Sequence, residues 1–362
     1  MQTFIIIALL LGGASYFFLT QAVFGRLPTG TRLERIQQSP NYKEGKFLNL
    51  EHTPDFAPGI STWDAAKSFL NKPNNTEPKS NIPSVQTDLK KLDPTLPQVI
   101  WFGHSSYLLQ TDGLKFLIDP VFSGSASPIS LFAKSFKGTD VYKTSDFPFI
   151  DVLVLTHDHY DHLDYKTILE LKGNFGKIVT SLGVGAHLNH WGIADSQIIE
   201  LDWNESANLG AHISLTALPA RHFSGRKFTR AQSIWSSFAL KTPTRKIYLG
   251  GDSGFGKHFK EIGEQHGPFD FALLECGQYN DMWPNIHMRP EEVIYAAQDL
   301  RAEILMPVHY GKFSLALHPW NEPIKRVTAA AKAAQQKITT PLIGQPVVFG
   351  YFYPDSAWWN FE

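Results

Sequence analysis

The chain has 362 residues, with 33 basic and 34 acidic side chains and a formal net charge of -1. That length can bury a sizeable core, and the even charge, with no basic block, argues against nucleic acid as a partner. A single cysteine, Cys276, excludes an intrachain disulfide and a cysteine-rich metal site.

The first segment, Thr3 to Phe24, carries no charge. At about 1.5 Å per residue it is long enough to cross a hydrocarbon core of about 30 Å. It is expected to be an uncleaved, single-pass anchor over residues 1–26, dispensable for folding. A cleaved signal peptide is the rival, but the basic residues that usually open one are missing. Arg26, Arg32 and Arg35 follow the run and no Lys or Arg precedes it, so the positive-inside rule puts the remainder on the cytoplasmic side. Residues 27–97, rich in Pro, Asn, Ser and Lys, are expected to form an irregular arm packing on the core, with one short helix at "STWDAAKSFLNK".

The main domain is expected over residues 98–362. "VIWFGHSSYLLQ" and "LKFLIDP" read as two strands joined through "TDG". "DVLVLT" is a nearly all-apolar strand, "DYKTILELKGNF" a helix, "KIVTS" a strand and "GVGAHLNHWGI" a helix. "IIELDW", "HISLTALPA", "SSFALKT" and "KIYLGGD" read as strands, and "FGKHFKEIGEQHG" as a helix. "FDFALLEC" is a strand, "RPEEVIYAAQDL" a helix with Pro290 in its first turn, and "AEILMPVH" a strand before a helix from about Glu322 to Gln336. This mixture predicts an α/β layered fold, two packed sheets with helices outside.

The chemistry concentrates where "IDVLVL" runs into "THDHYDHLD". His157, His159, Asp161 and His162 can reach one point if the turn is tight, and imidazole and carboxylate suit zinc and similar metals. Three later apolar runs also end in metal-capable residues: "LPARH" in His222, "IYLGGD" in Asp252 and "LMPVH" in His309.

This pattern, His-x-His-x-Asp-His and then a lone His, Asp and His, resembles the metallo-β-lactamase superfamily. The stretches "WFGHSSYLL", "IDPVFS…ASP", "HDHYDHLDY", "IELDWNES", "EIGEQHGPFD" and "VHYGKFSLALH" are similar to its N-acyl-phosphatidylethanolamine-hydrolysing phospholipase D branch and bacterial relatives, over Ser39 to Arg326. The resemblance implies an αβ/βα sandwich with metals between the sheet edges. It implies two zinc ions per chain, one on His157, His159 and His222, the other on Asp161, His162 and His309, with Asp252 bridging.

It also makes His287, with Asp161 and Asp252, the candidate catalytic residues, His287 giving a proton to the leaving group or holding the phosphate. Tyr160 is a candidate phosphate contact and Trp283 a candidate wall for an acyl chain. His104 is expected to be structural or to support the ligands from behind. Ile286 stands where the animal enzymes carry a polar residue before this histidine, which bears on head-group recognition. The expected activity is hydrolysis of a glycerophospholipid to phosphatidic acid and an N-acylethanolamine, at a membrane, with a homodimer left open. Two alternatives remain: hydrolysis of a lactone, β-lactam or sugar-phosphate ester, and a metal-binding envelope protein without catalysis.

Overall fold

The computed structural model describes residue 4, residues 12–13 and residues 16–361. Two seven-stranded sheets lie face to face. The first contains β1 (Gln98–Trp101), β2 (Tyr107–Thr111), β3 (Leu114–Ile118), β4 (Ile150–Leu155), β5 (Phe175–Ser181) and β6 (Ile198–Leu201). The second contains β7 (Ser206–Gly210), β8 (Ile213–Pro219), β9 (Ser236–Lys241), β10 (Lys246–Leu249), β11 (Phe269–Glu275), β12 (Ala302–Val308) and β13 (Lys337–Ile338). The last strand, β14 (Pro346–Val348), returns to the first sheet beside β1. Each sheet is antiparallel on one side and parallel on the other.

Alternation along the strands builds the layers. Tyr107, Leu109, Phe116, Ile118, Val152 and Val154 join Leu215, Phe238, Leu240, Leu249, Phe271 and Leu273 in the core between the sheets. The intervening residues Leu108, Leu117, Leu153 and Leu155 face the other way, under Ile168 and Leu171 of α3 (Tyr165–Leu171) and Leu188 of α4 (Gly185–His190). With both faces covered, β4 needs no polar position past Asp151, which explains its apolar run. On the second sheet α5 (His258–Gln265), α6 (Pro290–Asp299) and α7 (Glu322–Ala333) supply the cover.

The expected first strand, "VIWFGHSSYLLQ", is instead two strands of a hairpin, β1 and β2, paired antiparallel. Gly103 and His104 both turn through positive φ, at 83° and 52°. This break carries His104 and Ser105 to the sheet edge.

The arm has more order than expected. Besides α2 (Thr62–Leu70), it forms α1 (Gly30–Gln38) and a short hairpin between Tyr42–Lys43 and Lys46–Phe47. Ile36 and Phe47 are buried with Trp203, Ile234 and Trp235 of the sandwich. Only Leu33 and Ile36 in α1 are apolar, too few to mark a helix by periodicity.

The expected single-pass anchor, with its cytoplasmic orientation, is corrected. Among the described residues no helix is long and apolar enough to cross a membrane. Residues 1–3, 5–11 and 14–15 of the uncharged run lie outside the described residues. Its end does not continue as a helix: Ala22–Phe24 is a single 3-10 turn, and Phe24 is buried on the domain. The backbone there is tied down. Trp191 Nε1 donates to Ala22 O at 2.7 Å, Arg226 to Val23 O at 2.7 Å, and the Arg26 N–H to His187 Nδ1 at 3.1 Å. Two arginines read as orientation charges are ion-paired to the domain instead, Arg32 with Glu200 at 2.5 Å and Arg35 with Glu205 at 2.6 Å. Residues 22–26 therefore belong to the folded body.

Gly25 sits at φ 68°, and a Cβ there would strike the His187 ring. Gly25→Ala should lower the melting temperature by several degrees. Extending an N-terminal deletion from residue 20 to residue 26 should cost roughly 1.5–3 kcal/mol for Phe24 alone. Thermal unfolding checks both, and equal melting points would show that the segment contributes nothing.

Candidate metal centre

The carboxyl ends of β1, β3, β4, β8, β10, β11 and β12 all open at one edge of the sandwich. Just beyond them lie His104, Asp119, the 157–162 turn, His222, Asp252 and His309, with Glu275 the last residue of β11. Such strand ends are where open sheets of this kind build sites. Gly251 makes room for the approach of Asp252, since a Cβ there would lie 2.5 Å from Ser236 O. Asp119, His104 and His309 have φ of 41°, 52° and 67°. A non-glycine residue held there costs of order 1–3 kcal/mol, so surrounding bonds must impose it. Reciprocal ones do. The His309 N–H donates to His104 O and the His104 N–H to Tyr310 O, each at 2.9 Å.

All seven sequence-predicted ligands converge. His157, His159, His222 and Asp252 offer ligand atoms within 4.8 Å of one another, and so do His104, Asp161, His162 and His309. In the first group His159 Nδ1 lies 2.9 Å from His157 Nε2 and 3.3 Å from His222 Nε2. Asp252 reaches both groups. Its Oδ2 is 3.7 Å from His222 and 3.2 Å from His162, and its Oδ1 is 3.1 Å from His309.

These side chains are held from behind. Asp119 accepts from Thr156 N–H and Thr156 O–H at 2.8 and 2.6 Å and faces His162 Nδ1 at 2.8 Å. Thr156 Oγ1 also lies 3.0 Å from His157 Nδ1. His222 Nδ1 is 2.8 Å from Ile286 O, and His309 Nδ1 is 2.9 Å from Ser105 Oγ. Asp158, inside the turn but facing away, accepts from Gly225 N–H and faces His187 Nε2 at 3.2 Å. Such supports fix which ring nitrogen is free for a metal.

The electrostatics fit a metal. Burial, with neighbouring histidines, holds His157, His222 and His309 well below the usual imidazole range and brings His159 down to about 4. These rings are neutral at pH 7, as ligation requires. Burial pushes Asp252 up to about 6. Burial also works to lower His162, but Asp252, Asp161 and Asp119 outweigh it and hold that ring well above its usual range. One proton there serves as the cation of an acidic pocket, a place a metal ion can take. The buried atoms His162 Nε2 and Asp252 Oδ1 make no hydrogen bond. Orphans of this kind are expensive unless something else binds them, so the donor set fits metal ions.

His287 also reaches the edge. One of its nitrogens, an oxygen of Asp252 and a nitrogen of His309 lie within 4.8 Å. Its Nδ1 lies 3.0 Å from Glu275 Oε2. His104, expected to play a supporting part, lies 2.8 Å from Asp161 Oδ2 and packs on His309 with ring centroids 4.1 Å apart. A cleft of about 270 Å³ opens onto His159, Asp161, His222, Asp252, His287 and His309. Its walls are mostly apolar: Phe56 and Phe69 from the arm, then Phe223, Trp283, Ile286 and Leu315. Arg230 faces the same cleft, 3.8 Å above the Phe223 ring and paired with Asp55 at 2.8 Å. Trp283 thus lies where expected, stacked 5.9 Å from Phe69. Tyr160 does not line this cleft; it packs against Arg226, 4.0 Å from its ring centroid, and against Phe24.

Sequence reading passed over Asp119, Glu275 and Asp158. The first two are carboxylates at the ends of apolar strands, in "FLIDP" and "FALLEC", the same signal that singled out Asp252. Asp158 lies within the histidine turn itself and was hidden by its neighbours.

Residues 115–310 match a family model described as "Beta-lactamase superfamily domain". An uncharacterised protein of Mycobacterium tuberculosis is 40% identical over 320 residues, covering 86% of this chain and 85% of its own. An N-acyl-phosphatidylethanolamine-hydrolyzing phospholipase D of Caenorhabditis elegans is 32% identical over 263 residues, covering 65% of this chain and 73% of its own. A solved metallo hydrolase from Ignicoccus hospitalis superposes with a TM-score of 0.55 at 23% identity, covering 71% of this chain and all of that one, which shows a shared fold. With the αβ/βα sandwich, the convergent His/Asp edge and these matches, the chain belongs to the metallo-β-lactamase superfamily, as a metal-dependent hydrolase.

Proposed function

We propose that this hydrolase is a binuclear zinc phosphodiesterase of phospholipase D type. It cleaves N-acyl-phosphatidylethanolamine-like glycerophospholipids to phosphatidic acid and an N-acylethanolamine. The observation that carries this reading is the cleft: a mostly apolar trough with one arginine, opening directly onto the His/Asp edge. A lipid needs both features, a surface for acyl chain and a cationic floor for its phosphodiester. The likeness to the nematode phospholipase supports the same substrate class.

His157, His159 and His222 would hold one zinc, Asp161, His162 and His309 the other, with Asp252 shared. Two such ions would lower the pKa of water and neutralise charge gathering on a phosphoryl oxygen. The chain's own residues do the rest. Phe56, Phe69, Phe223 and Trp283 bind acyl chain and exclude water, and Arg230 exchanges its exposed partner Asp55 for the phosphodiester anion. Hydrolysis adds the OH of water to phosphorus and its H to the leaving oxygen. His287 Nε2 takes that proton from the water and passes it to the leaving oxygen, so the ring ends as it began. Tyr160, turned toward Arg226, has no part in this scheme.

Product mass spectrometry with zinc-loaded protein tests the reading. Phosphatidic acid should form, and heavy oxygen from water should appear in it rather than in the released alcohol. His287→Ala should cut turnover about 10²–10⁴-fold with zinc content intact. If N-acylated and ordinary phosphatidylethanolamine survive while a lactone or β-lactam opens, the lipid reading is wrong. Asp119→Ala, which frees both His162 and Thr156, should weaken metal affinity about 10–100-fold, as for other outer-shell partners. Competition with a chromogenic chelator measures this, and unchanged affinity would contradict the support assigned to Asp119.

A further inference from the structure

Glu275 closes β11, and its side chain is 1% exposed. A buried carboxylate is costly unless its oxygens are bonded. Here each oxygen has work. Oε1 accepts from Ser253 N–H at 2.9 Å and from Met288 N–H at 3.2 Å, while Oε2 faces His287 Nδ1 at 3.0 Å. Ser253 follows Asp252, and Met288 follows His287. One carboxylate therefore ties the loop of the shared aspartate to the loop of the histidine and holds the histidine ring as well.

The other ring nitrogen is treated differently. Among the described residues His287 Nε2 has no hydrogen-bond partner, and the His287 side chain is 11% exposed, on the cleft. Packing fixes the ring plane. His222 lies edge-on at 4.9 Å between centroids, and His309 stacks at 5.2 Å with 19° between planes. With the plane set by two rings and Nδ1 set by Glu275, only Nε2 is left to meet a substrate.

We propose that Glu275 is a positioning residue for the reaction: it holds His287 through Nδ1–H, so that Nε2 is the nitrogen that passes the proton to the leaving alcohol. This rests on the hydrolytic reading of His287 given above. Burial pushes the Glu275 carboxyl well above its usual range and the Ser253 and Met288 N–H donors work against this; once ionised, Oε2 accepts from Nδ1–H and leaves Nε2 facing the cleft. An amide at the same place would not serve. Glu275→Gln keeps an oxygen for Ser253 and Met288, but turns an NH₂ toward Nδ1. The ring must then accept at Nδ1 and keep its hydrogen on Nε2, the wrong tautomer for a proton shuttle.

Glu275→Gln is close to isosteric, so folding and metal content should match the parent. Two measurements on the zinc-loaded full chain decide the matter. The first is the ¹⁵N spectrum of the histidine rings, with His287 assigned by its loss in His287→Ala. The parent should carry its hydrogen on Nδ1 and Glu275→Gln should not. The second is turnover of a short-chain N-acyl-phosphatidylethanolamine, whose alkoxide leaving group needs the proton. There kcat should fall at least about 10²-fold with KM nearly unchanged, as for a lost proton-transfer role. An unchanged ring spectrum, or unchanged kcat, would overturn the proposal. Loss of zinc in Glu275→Gln would also overturn it, showing a structural role at the metal centre. The spectrum needs no substrate. A parent inert toward lipids but with the predicted change of tautomer would sink the phospholipase reading and leave the Glu275 bond standing.

Discussion

Everything at the working edge depends on one buried carboxylate, Asp252. It is 3% exposed, and four imidazoles from three separate segments crowd it: His157 and His162, His222, and His309. Taken into a core without compensation, such a charge costs several kcal/mol. The fold meets part of this cost with the protonated ring of His162, and the same arrangement creates a pocket that metal ions fit. Burial then keeps most of those rings neutral, which is the ligating form. Ligation and burial reinforce each other, so the metal centre and the sandwich are parts of one structure.

A second tier of groups makes the convergence possible. Asp119, Thr156 and Ile286 O each take the ring nitrogen that does not face the centre, and Ser105 takes His309 Nδ1, which also lies 3.1 Å from Asp252. Main-chain bonds between His104 and the His309–Tyr310 turn hold His104 and His309 in left-handed backbone conformations, and the Thr156 N–H on the Asp119 carboxylate helps to hold Asp119. The strain of those turns is held by the hydrogen bonds that aim the ligands. The arm adds a third tier. It contributes Phe56 and Phe69 to the cleft, and Ile36 and Phe47 to a cluster with Ala220, so the walls of the cleft draw on residues outside the sandwich.

Much of this is legible in the sequence. The apolar strands announced themselves because both faces of the parallel strands are covered, and ligands at their ends follow from where such strands open. His157, His159, Asp161, His162, His222, Asp252 and His309 could be named from local context alone. Local context failed where the cause is tertiary. α1 has two apolar residues and is secured by Arg32 on Glu200 and Ile36 on Trp203 and Trp235, partners more than 150 residues away. The hairpin at Gly103–His104 was read through as one strand because its turn is imposed by bonds to His309 and Tyr310. Glu275 and Asp119 looked like the ends of strands, and only packing shows what they hold. The apolar N-terminal run matched a membrane span by composition, yet its last residues spend their apolar surface and their carbonyls on the domain.

The central claim is that Asp252 is shared by two metal ions at this edge. Anomalous diffraction from zinc-loaded crystals, collected on either side of the zinc absorption edge, tests it directly. Two peaks should flank the Asp252 carboxylate, about 3.5–4 Å apart, one against His157, His159 and His222 and the other against Asp161, His162 and His309. A single peak remote from Asp252, or none in a fully loaded crystal, would contradict it.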